Sequence, residues 1–226
     1  MKRLFAGLRL VSYLVAIALM AAACAPVPIH NNYTDFRAAD PHSILVVPVI
    51  NRSVDVDAPD YFLSTIARPI AERGYYVFPV NLTKRLLEDE GLGDADLVHA
   101  NDPTVLAKMF GADSVMYITI NRWDAQYALL ATTVTVELDY SLKSGTTGQT
   151  LWSHKEKLAY SPQASSGGGN PLVMLVAAAI TAAIEKAKPD YIPLARQANW
   201  RSVIVQGQGL PAGPYDGAYR TDTSAF

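Results

Sequence analysis

The sequence predicts an α/β fold: a mixed β-sheet with flanking helices, an antiparallel hairpin extension and C-terminal helices. The first half of the folded region alternates short β-branched runs with helical patterns, which is typical of parallel strands joined by helices. Residues 131–142 then alternate between apolar and polar side chains, which predicts an antiparallel strand with one solvent-exposed face. Apolar helical patterns follow this hairpin.

Three runs predict the strands of the first half. Residues 43–50 form a continuous β-branched run of the kind that is buried on both faces of a sheet. Pro48 cannot donate to a strand ladder, so it must lie at a bulge, at a strand end or at an edge. Residues 75–80 and 112–120 are the second and third strands.

Helical patterns lie between these strands. They predict helices over residues 61–73, 83–90 and 104–110. Pro69 should kink the first helix, and Gly74 should end it. Asp102 is placed as the N-cap of the third helix, with Pro103 at the first helical position.

The alternating segment predicts a hairpin. Its apolar positions, expected on the core face, are Val134, Val136, Leu138, Tyr140 and Leu142, and its polar positions, expected in water, are Thr133, Thr135, Glu137, Asp139 and Ser141. Residues 145–148 carry two glycines and predict the turn, after which residues 149–160 return as the partner strand.

A long apolar helix is predicted near the C-terminal end, after a Gly/Ser loop at residues 165–170. It covers residues 172–188, and its first thirteen residues are apolar nearly all round. Such a helix is either a central core helix or a contact between copies or with a membrane-associated partner. A short last helix follows at residues 194–200, and residues 206–226 are expected to form a flexible tail.

The N-terminal residues 1–23 resemble a secretory signal peptide. A basic start precedes an apolar run that is too short to span a bilayer but suits a signal-peptide core. The run ends in three alanines followed by Cys24, the single cysteine of the chain, and this pattern resembles the bacterial lipobox. The resemblance implies a diacylglyceryl cysteine at Cys24 and a second acylation, such as by palmitate, of the new amino terminus. The alternative is an ordinary cleaved signal that leaves Cys24 as a free thiol.

A lipid anchor of this kind has consequences for location and organisation. Three acyl chains hold a protein on a membrane essentially for good. In lipoprotein sorting an Asp after the cysteine retains the protein in the inner membrane, and Ala25 therefore favours the outer membrane. Residues 24–42 are expected to form a lipidated tether, followed by one periplasmic α/β domain at residues 43–205.

Composition and motifs argue against several function classes. The 226-residue chain holds 19 Lys+Arg and 21 Asp+Glu, so a nucleic-acid partner has no electrostatic basis. The enzyme motifs that we sought are absent, and no catalytic, metal or cofactor residue is predicted. The sequence places its four histidines far apart, mostly at the surface; they are His30, His42, His99 and His154. Neighbours in the segment 153–155 point to opposite faces of a strand, so Ser153 and His154 cannot act as a catalytic pair.

Three segments carry a family resemblance: residues 44–53, 106–117 and 147–153. They are similar to their counterparts in the periplasmic domains of CsgG-like lipoproteins and in the amino-terminal domain of TolB. The closest resemblance is to a family of proteobacterial outer-membrane lipoproteins of unknown function, encoded near a CsgG-like lipoprotein. It implies a TolB-like α/β domain that serves envelope assembly or secretion through protein contacts, with no enzyme activity.

The sequence thus predicts a lipid-anchored outer-membrane protein that faces the periplasm and acts through protein contacts. We expect it to form a homo-oligomer and to have CsgG-like or other envelope lipoproteins as partners. Two alternatives stay open. One is an envelope hydrolase or glycan-binding protein whose site is assembled from distant residues, and the other is a purely structural spacer.

Overall fold

A computed structural model describes the backbone of residues 31–128, 131–160 and 191–226, with the side chains of 125–128, 131 and 132 excepted. The predicted signal peptide, Cys24, the predicted loop at 165–170 and the predicted helix at 172–188 lie outside these residues. The described elements, in chain order, are α1 (Thr34–Ala39), β1 (Ser43–Val46), β2 (Ile50–Asn51), α2 (Ala58–Glu72), β3 (Tyr76–Val77), α3 (Val80–Asp89), α4 (Ala95–Ala100), α5 (Pro103–Phe110), β4 (Ser114–Ala128), β5 (Ala131–Ser144), β6 (Thr150–Tyr160) and α6 (Ile192–Ile204).

The strands form one mixed sheet in the order β3-β1-β4-β5-β6, and β2 also pairs with β4. The short strands β1, β2 and β3 are parallel to their neighbours, whereas β4, β5 and β6 form a long antiparallel meander. The mixed sheet with flanking helices and an antiparallel extension confirms the predicted fold class.

The first predicted strand is divided at Pro48. β1 ends at Val46 and β2 begins at Ile50, and both pair with the longer β4. Proline has no N–H with which to continue the ladder, so the interruption falls where the sequence places the break. The second strand, predicted over 75–80, is reduced to the two residues of β3.

The helix ends follow the capping residues. The carboxylate of Asp102 accepts a hydrogen bond of 2.9 Å from the backbone N–H of Thr104 at the start of α5. Gly111 ends α5 in the left-handed region, at φ +69°. Gly74 follows α2 with φ +84°, and Pro69 lies within that helix, as predicted.

The sheet has two different faces. On the core face, Met116, Ile118 and Ile120 of β4 pack with apolar residues of α2 and α6 in the larger cluster. On the opposite face, Val115 and Tyr117 join a smaller cluster formed with α3, α4 and α5. This smaller cluster covers β1 and β4 and does not reach β5 or β6. We use the term "open face" for the outer side of β5 and β6, which carries Glu137, Asp139, Ser141, Lys143, Ser153, Lys155 and Lys157.

The alternation in β5 is confirmed on its apolar side and corrected on its polar side. Val134, Val136 and Leu138 are fully buried. Thr135, expected in water, is buried as well. It lies between Asp124 of β4 and Ala159 of β6 in the register, so the side chains of both adjacent strands flank this short side chain on a central strand.

Residues 31–42 and 206–226 differ from the expected tether and flexible tail, because the two segments pack together against the domain. Tyr33 donates a hydrogen bond of 2.7 Å to the carbonyl of Gly209. Tyr75 donates one of 2.8 Å to the carbonyl of Pro211, and Arg73 pairs with Asp222 at 2.9 Å. A polar, glycine-rich segment is therefore ordered by donors that lie far away in sequence.

Within the ranges given above, no helix is long and apolar enough to cross a membrane.

Candidate functional site

A groove lies on the open face, at the step where the layer of α3, α4 and α5 ends. Its volume is about 570 Å³, within the roughly 300–1,000 Å³ of typical ligand sites. The residues that line it are His99, Tyr117, Thr119, Asp139, Tyr140, Ser141, Lys143, Ser153, His154 and Lys155.

Two cross-strand rows form the floor. In the first row, Tyr117 of β4 pairs with Ser141 of β5, which pairs with Ser153 of β6. In the second row, Asp139 of β5 stands between Thr119 and Lys155. Because side chains alternate along a strand, the members of each row point to the same face. The floor is therefore polar, in contrast to the core face behind it.

The wall of the groove is α4, a helix that sequence reasoning missed. Asp94 caps it by accepting hydrogen bonds from the backbone N–H groups of Asp96 and Leu97. The helix is six residues long, which is too short to show a helical period. Asp94, a residue type that favours the N-cap position, was the sequence signal that could have indicated the start of α4.

His99 on α4 faces the groove with a defined tautomer. Its Nε2 lies 2.9 Å from the carbonyl oxygen of Pro48, so Nε2 carries the proton and donates it. Nδ1 of the neutral ring then holds a lone pair. Burial lowers the pKa of His99, and the charges of Lys143 and Arg52 lower it further. His99 is half-buried on a helix, which corrects the expectation of a surface residue in a polar loop.

Tyr117 lies between His99 and Lys143. The His99 ring meets the Tyr117 ring edge-on at 5.0 Å, and Nζ of Lys143 lies 4.9 Å from the centroid of the tyrosine ring. The Tyr117 hydroxyl is buried without a hydrogen-bond partner among the described residues. Burial, together with the nearby Asp102 carboxylate, raises the pKa of Tyr117 to about 12.

The charges of the open face are mostly paired. Lys155 Nζ lies 2.9 Å from a carboxylate oxygen of Asp139, and Lys157 Nζ lies 3.2 Å from one of Glu137. Lys143 forms no ion pair with any residue that the structure describes. One positive charge at the end of the groove is therefore uncompensated.

The other histidines of the described residues do not combine with His99 to form a metal centre, although His154 is among the residues that line the groove. His42 is largely exposed and lies 3.6 Å from Asp40. His154 is largely buried, which also differs from the surface position expected; it stacks on Trp152 on the core side and lies 3.3 Å from Glu156. Over residues 31–128, 131–160 and 191–226, no group of three or more His, Cys, Asp or Glu side chains could hold a metal ion.

Among the described residues the groove shows no nucleophile that is hydrogen-bonded to a base. The ring of His99 bonds to a backbone carbonyl and that of His154 to a carboxylate, and in the described part of the chain no serine hydroxyl bonds to either ring. An activated nucleophile needs such a contact with a base. The groups that a ligand could contact are the ammonium of Lys143, the ring of Tyr117, Nδ1 of His99 and the serine hydroxyls.

The fold and this polar groove define a small α/β domain with binding groups on one open sheet face. A family model described as "Putative lipoprotein GNA1162-like" matches residues 31–215. The chain therefore belongs to the GNA1162-like family of lipoproteins, whose function is unknown.

Individual relatives agree with this assignment. The "Putative lipoprotein NMB1124/NMB1162" of Neisseria meningitidis serogroup B is 36% identical over 137 residues, which are 61% of this chain and 64% of the relative. The chain thus matches less than two thirds of that relative's length. The relative's name describes a lipoprotein and mentions no enzyme activity.

One solved structure supports the fold. The crystal structure of lipoprotein GNA1162 from Neisseria meningitidis has a TM-score of 0.53 and 33% sequence identity, covering 64% of this chain and 98% of the other. The C-terminal domain of LpoB from Salmonella enterica has a TM-score of 0.35 and 21% identity, covering 52% of this chain and 83% of the other. The second likeness is too loose to bear on function. These comparisons show the lipoprotein family and not the CsgG-like or TolB similarity.

Proposed function

We propose that this protein is a lipid-anchored component of the outer membrane that faces the periplasm and binds a partner protein through its open face. It acts by binding and not as an enzyme. The single observation that carries the proposal is the half-covered sheet: helices cover one side of β1 and β4, whereas the same side of β5 and β6 is polar and open among the described residues.

The anchoring part rests on the N-terminal sequence and the family. The run of small residues before Cys24 resembles a lipobox, and the family shares the description of a lipoprotein. Ala25 supports sorting to the outer membrane. With its anchor near the start of the chain and its folded residues beginning near Tyr33, the domain would stay close to the bilayer.

The interaction part rests on the groove. A spacer needs no groove, and a hydrolase needs a nucleophile or acid–base pair in contact, which the groove does not show. A polar face with one uncompensated lysine suits recognition of another molecule. The resemblance seen in three sequence segments supports other envelope lipoproteins, including CsgG-like ones, as partners in envelope assembly or secretion.

A photo-crosslinking amino acid placed at Ser141 tests the proposal in intact envelopes. Irradiation should give a discrete protein adduct, because Ser141 lies in the middle of the groove floor. The same amino acid at Arg68, an exposed position on α2, is the matched control and should give none. No adduct at Ser141 would favour a structural spacer. Identical adducts at both positions would show that the open face is not the binding surface.

We propose self-association separately. This proposal rests on the apolar helix that the sequence predicts at residues 172–184. Its small residues would let a second helix approach closely. Light scattering of the purified protein measures it: Ala178→Glu or Ala179→Glu should yield a folded monomer if the helix is an interface. Wild-type protein that is already monomeric at high micromolar concentration would remove this proposal.

A further inference from the structure

The lysines of the open face differ in one respect. Lys155 and Lys157 each face a carboxylate on the neighbouring strand, whereas Lys143 has no acidic partner among the described residues. A paired lysine offers a ligand little net charge. Any anionic group that enters the groove will therefore be attracted most strongly to Lys143.

The surroundings of Lys143 favour this role. Its ammonium group sits over the ring of Tyr117, and the positive charge is near enough to His99 to lower the pKa of that imidazole. Tyr117 is 6% exposed, and its hydroxyl has no hydrogen-bond partner in the described part of the chain. A buried donor without a partner is uncommon in folded proteins.

The donors fit a carboxylate better than a phosphate. Phosphate sites commonly combine arginine forks or several backbone N–H groups, to which a lysine adds a point charge. The groove is lined by no arginine and supplies lysines and the hydroxyls of Ser141 and Ser153. Lys143 brings one uncompensated charge, which matches a monoanion.

The size of the groove indicates more than a single carboxylate. About 570 Å³ is room for a short stretch of chain, and the two floor rows run across three strands with hydroxyl groups at intervals. Recognition of acidic motifs by basic side chains is one of the recurring modes of peptide binding.

We propose that the groove binds an acidic peptide segment of the partner protein, with one Asp or Glu carboxylate of that segment seated at Lys143. This inference rests on the proposed interaction function and names the chemistry of the partner. Lys143 supplies the charge, and the hydroxyls of Ser141 and Ser153 bond to the flanking peptide groups.

Fluorescence anisotropy with detergent-solubilised full-length protein tests the proposal. The probe is a fluorescein-labelled, end-capped peptide of sequence Ser-Glu-Ser-Glu-Ser, and its Ser-Gln-Ser-Gln-Ser analogue is the neutral comparison. The acidic peptide should bind, the neutral one should bind at least tenfold more weakly, and added salt should weaken the acidic peptide. Lys143→Gln should reduce the affinity at least tenfold.

Lys157→Gln is the matched control. It removes the same charge from the same face, but Lys157 is paired with Glu137 and does not line the groove. The affinity of Lys157→Gln for the acidic peptide should stay within twofold of the wild-type affinity. Both variants should have the melting temperature of the wild type. Equal losses in the two variants would show attraction to overall charge and would overturn the assignment to Lys143.

Two further outcomes would also overturn it. Free acetate that displaces the peptide at the peptide's own concentration would show a small-acid site and not a peptide site. Absence of binding by the acidic peptide, together with a crosslinked adduct at Ser141 in envelopes, would remove the acidic-peptide inference and leave the proposed interaction function standing.

Discussion

The hydroxyl of Tyr140 on β5 donates a hydrogen bond of 2.5 Å to Oδ1 of Asn199 on α6. The amide of Asn199 in turn donates one of 2.8 Å to the hydroxyl of Thr65 on α2. All three side chains are buried. These hydrogen bonds join β5 to α6 and α2, the two helices that cover the core face of the sheet. They hold in place the part of the sheet whose opposite face carries the groove.

Loss of the Tyr140 hydroxyl should destabilise the domain. Tyr140→Phe leaves the carbonyl oxygen of Asn199 buried without its donor, which costs about 1–3 kcal/mol of the free energy of unfolding. Tyr76→Phe is the control, because Tyr76 is half exposed on the short edge strand β3. Urea denaturation measures both variants. Equal midpoints would show that the bond contributes nothing.

The packed C-terminal segment depends on a close backbone approach at Gly213. A Cβ at this position would lie 2.3 Å from the carbonyl oxygen of Gly74, so the segment would have to move. Gly213→Ala should lower the free energy of unfolding by about 1–3 kcal/mol. Gly217→Ala, where a Cβ would meet nothing within 4 Å, should be nearly silent. If thermal melts of the two variants coincide, residues 206–226 are not packed as described.

Acid should weaken the attachment of the same segment through Asp40. Burial raises the pKa of Asp40, but hydrogen bonds from Tyr219 and Arg220 outweigh it and hold the pKa below the ordinary value of 3.8. A carboxyl with a depressed folded-state pKa stabilises the fold above its unfolded-state pKa, and this stability is lost as pH falls through the folded-state value. The wild type should therefore lose stability below about pH 4.

Asp40→Asn isolates this contribution. Asn tolerates the left-handed backbone that residue 40 adopts, at φ +44°, so the substitution removes the charge with little strain. The difference in free energy of unfolding between wild type and variant should be constant from pH 5 to pH 7 and shrink below about pH 4. If the difference in free energy of unfolding grows towards low pH, the pKa of Asp40 is not lowered in the folded state.

The lipid anchor is tested at Cys24. Metabolic labelling with a fatty-acid analogue should mark the wild type and not Cys24→Ser, because we propose the thiol of Cys24 as the attachment point. Ala25→Asp should move the protein towards the inner-membrane fraction. Label that persists in Cys24→Ser would remove the basis for the anchor, and unchanged fractionation of Ala25→Asp would show that this sorting rule does not apply.

Local signals allowed much of the fold to be predicted. The β-branched run at residues 43–50, the cap at Asp102 and the glycine at position 74 each act through neighbouring residues, and the structure agrees with all three. The strict alternation in β5 likewise reports which face is buried. Such signals need no knowledge of distant contacts.

The errors have tertiary causes. Residues 206–226 have the composition of a flexible tail, and their order depends on distant partners such as Tyr33, Arg73 and Tyr75, which donate to their carbonyl groups. The groove could not be predicted either, because α4 was too short to recognise. Its members come together only when the β4–β6 meander aligns Tyr117, Ser141 and Ser153 in one row.

Accessibility of the groove floor tests the central claim most directly. In full-length protein with an acylated Cys24, Ser141→Cys introduces the one free thiol, since the chain has a single cysteine. We predict that a maleimide labels this thiol in detergent-purified protein and that the thiol is protected in intact envelopes, where the partner covers the open face. Leu138→Cys, on the buried face of the same strand, is the unreactive control. Equal labelling of Ser141→Cys in both preparations, or none in the purified protein, would contradict the account.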